Sequence, residues 1–136
     1  MSAPALQALP LRLPPGVDLR RALEQALTDA GGTAGFVLQG IGSLIDPALR
    51  LADAGTPTPL AGPFEILTLA GSLAPGGSHL HASLAGADGQ VIGGHLPYGC
   101  RVHTTAELLL VLLPGWVFDR QPDAATGFLE LMVRAR

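Results

Sequence analysis

The sequence predicts an α+β domain in which one main helix covers a mostly antiparallel β-sheet. Three observations lead to this fold class. One segment of the 136-residue chain, Leu19 to about Ala30, has the apolar spacing of an amphipathic helix. Several other segments have strand patterns bounded by proline or glycine. Two of these segments are joined by Asp88-Gly89, a dipeptide that strongly favours a β-hairpin.

The predicted helix has clear start and stop signals. Asp18 can cap its first turn, and Gly31-Gly32 ends it. Its apolar stripe consists of Leu19, Leu23, Ala26, Leu27 and Ala30. We therefore expect the helix to cover one face of the sheet, with its arginines, Arg20 and Arg21, on the solvated side.

Strands account for most of the remaining chain. Besides the two hairpin strands, we predict strands over residues 9–13, 34–44, 48–52, 64–73, 101–113, 116–118 and 128–133, and a polar loop over 119–125. The segment 64–73 has apolar residues on both faces, which indicates a central strand covered on both sides. The segment 101–113 is long enough for a helix, but Val102, Thr104 and Thr105 favour a strand. The whole chain, 1–136, is interpreted as a single domain with its core at about 11–133.

The hairpin carries three of the four histidines, and its register decides whether they meet. A three-residue loop at 87–89, with Gly89 in the left-handed conformation, sets Gly86 opposite Gln90. It therefore sets His81 opposite His95. A loop of two or four residues would shift the register by one and turn His95 onto the other face.

The apolar residues of the hairpin select the three-residue loop. In that register one face is unbroken and apolar, formed by Leu80, Ala82, Leu84, Ile92, Gly94 and Leu96. His79, His81 and His95 then share the opposite face, where Gly93 and Gly94 leave room above the sheet. Directly opposed residues have Cβ atoms about 4.5–5.5 Å apart, close enough for two imidazoles to bind one ion.

The three histidines are therefore predicted to form a metal site. Zinc is the first expectation, because it accepts neutral imidazoles and because three protein ligands leave one position open. Nickel, copper or iron would accept the same ligands. His103 is a second-choice ligand, since its strand parity allows either face.

Two further residues are weak candidates for a catalytic role. Glu65 lies in an apolar strand, where an unpaired carboxylate would be costly. It could be a fourth ligand, a group that orients a histidine, an acid or base, or half of an ion pair with an arginine. Arg12 could be its partner, or could hold an anion at the open metal position. Cys100, the only cysteine, is interpreted as a small residue at a strand end.

Composition and charge argue against several classes of protein. The formal net charge is −3, the arginines are scattered and aromatic residues are few, so direct binding of nucleic acid is not expected. No apolar run approaches the roughly 18 residues needed to cross a membrane. No secretory signal is visible at the N-terminus, and we expect a cytoplasmic location.

Four segments, taken in order, resemble a known family: LRLPPGVDLRRALEQAL, AGFVLQGIGSL, GPFEILTLAGSL and HLHASLAGADGQVIGGHL. From about Leu11 to Leu113 the chain is similar to the PPC domain, the plants-and-prokaryotes-conserved domain. The resemblance implies a compact sandwich that assembles as a homotrimer. It also implies zinc binding, since His79, His81 and His95 match the histidines of zinc-holding members. Plant members carry a basic AT-hook that enters DNA; we see no such segment before Leu11 and do not expect that activity here.

Three hypotheses about function follow. The first is a trimeric zinc-binding PPC protein whose role is assembly or the binding of a partner or ligand, including a small anion at the metal. The second is a small hydrolase or lyase that uses metal-bound water. The third is a DNA-associated regulatory factor, which the negative charge makes less favourable.

Overall fold

The structure is a computed structural model that describes residues 4–136. Over those residues it contains one helix and ten strands, which confirms the predicted α+β class. In chain order they are β1 (Gln7–Leu13), α1 (Leu19–Asp29), β2 (Gly35–Ile45), β3 (Ala48–Leu49), β4 (Thr58–Pro59), β5 (Pro63–Ala74), β6 (Gly77–Ala85), β7 (Val91–His95), β8 (Arg101–Leu112), β9 (Trp116–Pro122) and β10 (Leu129–Ala135).

Six of the strands form one sheet in the order β1-β8-β2-β5-β6-β7. Every neighbouring pair in it is antiparallel. The remaining strands form two short ribbons, β9 with β10 and β3 with β4. The sheet therefore has β1 at one edge and β7 at the other.

Helix α1 covers one face of this sheet, as the sequence predicts. The side chain of Asp18 accepts a hydrogen bond from the backbone N–H of Arg21 at 3.1 Å, and so caps the first turn. Leu19, Leu23 and Leu27 are fully buried against the sheet. Full burial of one such side chain stabilises the fold by about 1.5–3 kcal/mol. No helix within residues 4–136 has the length and apolar character needed to span a membrane.

The hairpin of β6 and β7 has the predicted loop and register. Gly86 donates its N–H to the carbonyl of Gln90 at 2.9 Å, and Gly89 has a φ of +82°, which glycine adopts without strain. His81 is therefore directly opposite His95. The predicted apolar face is buried under α1, with Leu80, Leu84 and Leu96 fully inaccessible to solvent.

Strand β5 is central, between β2 and β6, but it is not covered on both sides within one chain. An irregularity between Ile66 and Thr68 shifts the pairing with β6, so that Ile66 and Leu69 are both buried while Leu67 is 43% exposed. The face of the sheet opposite α1 is called the outer face below. Its exposed apolar residues include Phe36, Leu38, Ile41, Leu67 and Leu109.

Two predicted segments differ most from the structure. The strand predicted over 48–52 is only Ala48–Leu49. The loop predicted over 119–125 begins as strand, because β9 continues to Pro122 and pairs along its length with β10. The polar residues of β9 suggested a loop, but one face of a two-stranded ribbon can remain in solvent. Arg134 and Asp119, paired at 3.2 Å, lie on this ribbon.

Candidate metal centre

The three predicted histidines come together on the outer face, at the end of the sheet near the start of β6. His79 and His81 are alternate residues of β6, and His95 is the last residue of β7. His79 and His81 are exposed, and His95 is half-buried. One potential ligand nitrogen from each ring lies within 4.8 Å of the other two.

The rings are arranged around a common centre without stacking on one another. The Nε2 atoms of His79 and His81 are 3.1 Å apart. Ring centroids are separated by 4.8 Å for His79 and His81, 5.3 Å for His79 and His95, and 6.0 Å for His81 and His95. Two nitrogens bound to one tetrahedral zinc ion lie about 3.3 Å apart, so the His79–His81 spacing is suitable for a shared ion.

His95 is positioned from both sides. On one side it pairs with His81 across the hairpin. On the other, its N–H donates to the carbonyl of Arg50 and the N–H of Arg50 donates to its carbonyl, both at 3.0 Å. The second contact depends on Gly94, because a Cβ there would lie 2.8 Å from the carbonyl oxygen of Arg50.

Replacing Gly94 with alanine is therefore expected to destabilise the protein and to weaken metal binding. Overpacking of this kind costs about 1–3 kcal/mol, and relieving it moves the chain away from the backbone that holds His95. Gly93→Ala is the matched control, since its Cβ would meet only the carbonyl of Ala82 at an ordinary 3.4 Å. Denaturant unfolding and metal titration of both variants provide the measurement. Equal behaviour of the two variants would contradict the role of the Arg50–His95 bridge.

His79 is positioned by its neighbour, Ser78, which ties β6 to helix α1. Ser78 is 4% exposed and its hydroxyl donates to Glu24 at 2.5 Å. Arg20 donates to the hydroxyl of Ser78 at 2.9 Å and to its carbonyl at 2.6 Å. Arg20 also lies over the ring of Tyr98, 4.1 Å from its centroid. The expectation that Arg20 is a solvated surface residue is thus wrong, because the first turn of α1 lies against β6.

Two more arginines reach the same region from other elements. Arg120 of β9 donates to the hydroxyl of Ser72 at 2.9 Å, and Ser72 is the cross-strand partner of His79. Arg50 follows β3 and is bridged to His95. A cavity of about 490 Å³ opens between these groups. It is lined by Arg20, Arg50, Ser78, His79, His95, Arg120, Phe128, Leu129 and Glu130.

The electrostatics of this region favour neutral imidazoles. Burial, and then the charge of Arg50, lowers the pKa of His95 from 6.5 to about 4. Burial, and then His81, lowers the pKa of His79 as well. Both rings are consequently neutral near pH 7, which is the state of imidazole that binds metals. Burial also lowers the pKa of the Arg120 guanidinium.

The residues fit a metal ion in one further respect. The Nδ1 atom of His95 is buried and has no hydrogen-bond partner among residues 4–136. A buried ring nitrogen without a partner costs free energy unless something else satisfies it. His79, His81 and His95 would hold the ion through ring nitrogens, and the bound ion would supply a Lewis acid.

The other predicted site residues lie elsewhere. Glu65 is exposed and pairs with Ala85, about 16 Å along the sheet from the position opposite His81. Arg12, on β1, is separated from β6 by about 19 Å, four strand spacings. The structure therefore brings neither to the histidines, nor to each other. A catalytic role for either residue is not tested by this placement and stays a prediction.

His103, the second-choice ligand, and Cys100 are also outside the cluster. His103 is exposed and lines a separate cavity of about 300 Å³ together with Glu65 and Ser43. Cys100 is buried, and its thiol donates to the carbonyl of Ala48 at 3.3 Å. Burial raises the pKa of this thiol, which agrees with its interpretation as a packed small residue.

Sequence patterns, in contrast, do not single out Arg50 or Arg120, and they place Arg20 in solvent. A local signal existed for Arg20, which is next to the first residue of the apolar stripe and four residues before Glu24. No local pattern marks Arg50 or Arg120. Both come to the site through tertiary packing.

Fold and site together define a class: a small α+β fold, with one helix in residues 4–136 and a cluster of three histidines that could hold a metal ion. Comparison with known proteins gives the family. The model of the Plants and Prokaryotes Conserved (PCC) domain matches residues 2–114. The chain belongs to this family, which is the PPC domain family under a second abbreviation.

Individual proteins are similar to most of the chain. A hypothetical protein from Salmonella cholerae-suis has 37% identity and a TM-score of 0.93, with 99% of this chain and 98% of that chain covered. A metal-containing protein from Archaeoglobus fulgidus has 29% identity and a TM-score of 0.79, with 93% of each chain covered. A bifunctional protein GlmU from Synechococcus sp. (strain JA-2-3B'a(2-13)) is 49% identical over 130 residues, which cover 96% of this chain but 21% of that protein. The chain thus spans about a fifth of the length of that curated relative.

Proposed function

We propose that this protein is a homotrimeric PPC-domain protein that binds one zinc ion per chain through His79, His81 and His95, and whose role is assembly or the binding of a partner or ligand. The observation that carries the proposal is the convergence of three ring nitrogens within 4.8 Å. Neutral imidazoles and the buried, unpartnered Nδ1 of His95 support it. The metal-containing relative from Archaeoglobus fulgidus supports it independently.

The outer face supports the trimeric part of the proposal. Phe36, Leu38 and Ile41 are between 37% and 56% exposed on β2, at the centre of the sheet. A contiguous apolar patch on a central sheet is typical of a protein–protein interface. The resemblance to PPC domains suggests two further copies of this chain as the occupants.

The same geometry gives less support to the other two hypotheses. A hydrolase or lyase would need a general base within hydrogen-bond reach of the reacting group, and Glu65 is far from the histidines. The net charge of −3 is unfavourable for direct binding of DNA. We therefore keep assembly and ligand binding as the proposed role.

Elemental analysis combined with light scattering tests the proposal directly. Protein purified without an affinity tag is expected to contain about one equivalent of zinc per chain and to have the mass of three chains. A monomer mass would overturn the assembly part, and absence of stoichiometric metal would overturn the site. Measuring both quantities on one preparation separates the two outcomes.

A further inference from the structure

The cavity beside the histidines has an unusual concentration of guanidinium groups. Arg20, Arg50 and Arg120 line it from three different elements, α1, the segment after β3, and β9. The cavity is therefore bounded by three charged side chains that are distant in sequence. Each of the three is half-buried. Burial of a charged group is costly unless a partner compensates it.

Only one of these guanidinium groups has a carboxylate at ion-pair distance within residues 4–136. Arg20 lies 3.5 Å from Glu24, which also accepts from Ser78 and Tyr98. Among the residues that the structure describes, the guanidinium of Arg50 has only a 3.5 Å contact, to the carbonyl of Ala54. Arg120 donates to Ser72, and its buried Nε–H has no acceptor among the described residues.

Glu130 reduces the positive charge but does not remove it. This carboxylate lines the same cavity, and no ion pair within 4.0 Å joins it to Arg50 or Arg120 in the described part of the chain. With Arg20 compensated by Glu24, the cavity retains two guanidinium charges against one carboxylate.

The size and the apolar rim of the cavity also suit an organic ligand. The cavity, of about 490 Å³, is in the size range of sites that hold small organic molecules. Its rim includes Phe128 and Leu129, which are 73% and 61% exposed. An organic group attached to an anion could cover these side chains while the anion meets the guanidinium groups.

We propose that this cavity binds a small organic phosphate, with the phosphate oxygens held by Arg50 and Arg120 and the organic part against Phe128 and Leu129. Guanidinium groups match phosphate in geometry, donating two parallel N–H bonds to its oxygens. Phosphate carries about −1.5 to −2 charges and several acceptor oxygens at pH 7, so it can bind two guanidinium groups that no carboxylate meets within 4.0 Å in residues 4–136. The inference deepens the proposed function by naming the class of ligand, and rests on it because His79 and His95 line the same cavity.

Calorimetric titration with phenyl phosphate, inorganic phosphate and benzoate tests this inference. The protein is the full chain, loaded with one equivalent of zinc and free of excess metal. Phenyl phosphate is expected to bind at least about tenfold more tightly than benzoate, through its charge, and more tightly than inorganic phosphate, through the apolar rim. Arg50→Gln and Arg120→Gln are each expected to weaken its binding at least about tenfold. Arg50→Gln is the safer variant for folding, since it removes only one long hydrogen bond.

Arg12→Gln is the matched control, because Arg12 is an exposed arginine at the far side of the sheet. Phenyl phosphate binding that is unchanged by both Arg50→Gln and Arg120→Gln would overturn the inference, as would tighter binding of benzoate or no binding at millimolar concentration. Binding that requires zinc but ignores both arginines would also overturn it, while leaving the metal site intact. Absence of zinc from the protein would instead count against the proposed function.

Discussion

Replacing His81 with alanine is expected to remove stoichiometric metal from the protein while leaving its fold intact. His81 is the central histidine of the cluster, alternate with His79 on β6 and directly opposite His95. Loss of a group that only orients a metal ligand typically costs 10–100-fold in affinity, so loss of a ligand should cost at least about 100-fold. Because His81 is exposed, its removal leaves no cavity in the core. Elemental analysis and chelator competition measure the affinity, and circular dichroism measures the fold.

The chain offers a matched control for this variant in His103. It is also an exposed histidine on a strand, but it lies on β8 beside Glu65, away from the cluster. His103→Ala should retain the metal content of the parent protein. If His81→Ala retained it too, the assigned ligands would be wrong.

Placing an arginine at Leu38 is expected to convert the proposed trimer into monomers. Leu38 is 56% exposed on the outer face, so the single chain can accommodate a larger polar side chain there. In the proposed trimer the same position would be buried, and each buried, unpaired guanidinium would cost several kcal/mol. Symmetry introduces that cost once per chain. Light scattering should show the mass of one chain, with an unchanged circular dichroism spectrum.

Leu6→Arg is the corresponding control. Leu6 is a more exposed leucine, at 69%, but it precedes β1 and is outside the sheet. This variant should keep the mass of three chains. A trimer that survives Leu38→Arg would show that copies of the chain meet through another surface.

The register of the hairpin could be predicted because only one alignment of its two strands keeps the apolar residues on one face. A shift by one residue would have turned Ile92 and Leu96 away from the apolar face that contains Leu80 and Leu84, and burial of that face strongly disfavours the shift. The placement of His81 opposite His95 follows from the same leucines. Helix α1 was equally predictable, since its cap, its apolar stripe and its glycine stop all agree.

Other features depend on contacts that local patterns do not encode. The irregularity in β5 moves Leu67 to the outer face, although regular alternation would pair it with Leu69. Arg120 reaches Ser72 only because the β9–β10 ribbon packs beside β5. Because residues 119–122 are polar, the sequence predicts a loop there, and it therefore does not place Arg120 on a strand beside the cavity.

The three histidines are not held equally firmly, because His95 lies on strand β7. It is the outermost strand, held by β6 on one side and by a single bridge to Arg50 on the other. Short outer strands open locally at a lower free energy than central ones. His95 would therefore detach first in a transient opening, while His79 and His81 stay on the better-anchored β6. Exchange of the ion would begin as fraying of residues 91–95, without unfolding of the rest of the molecule.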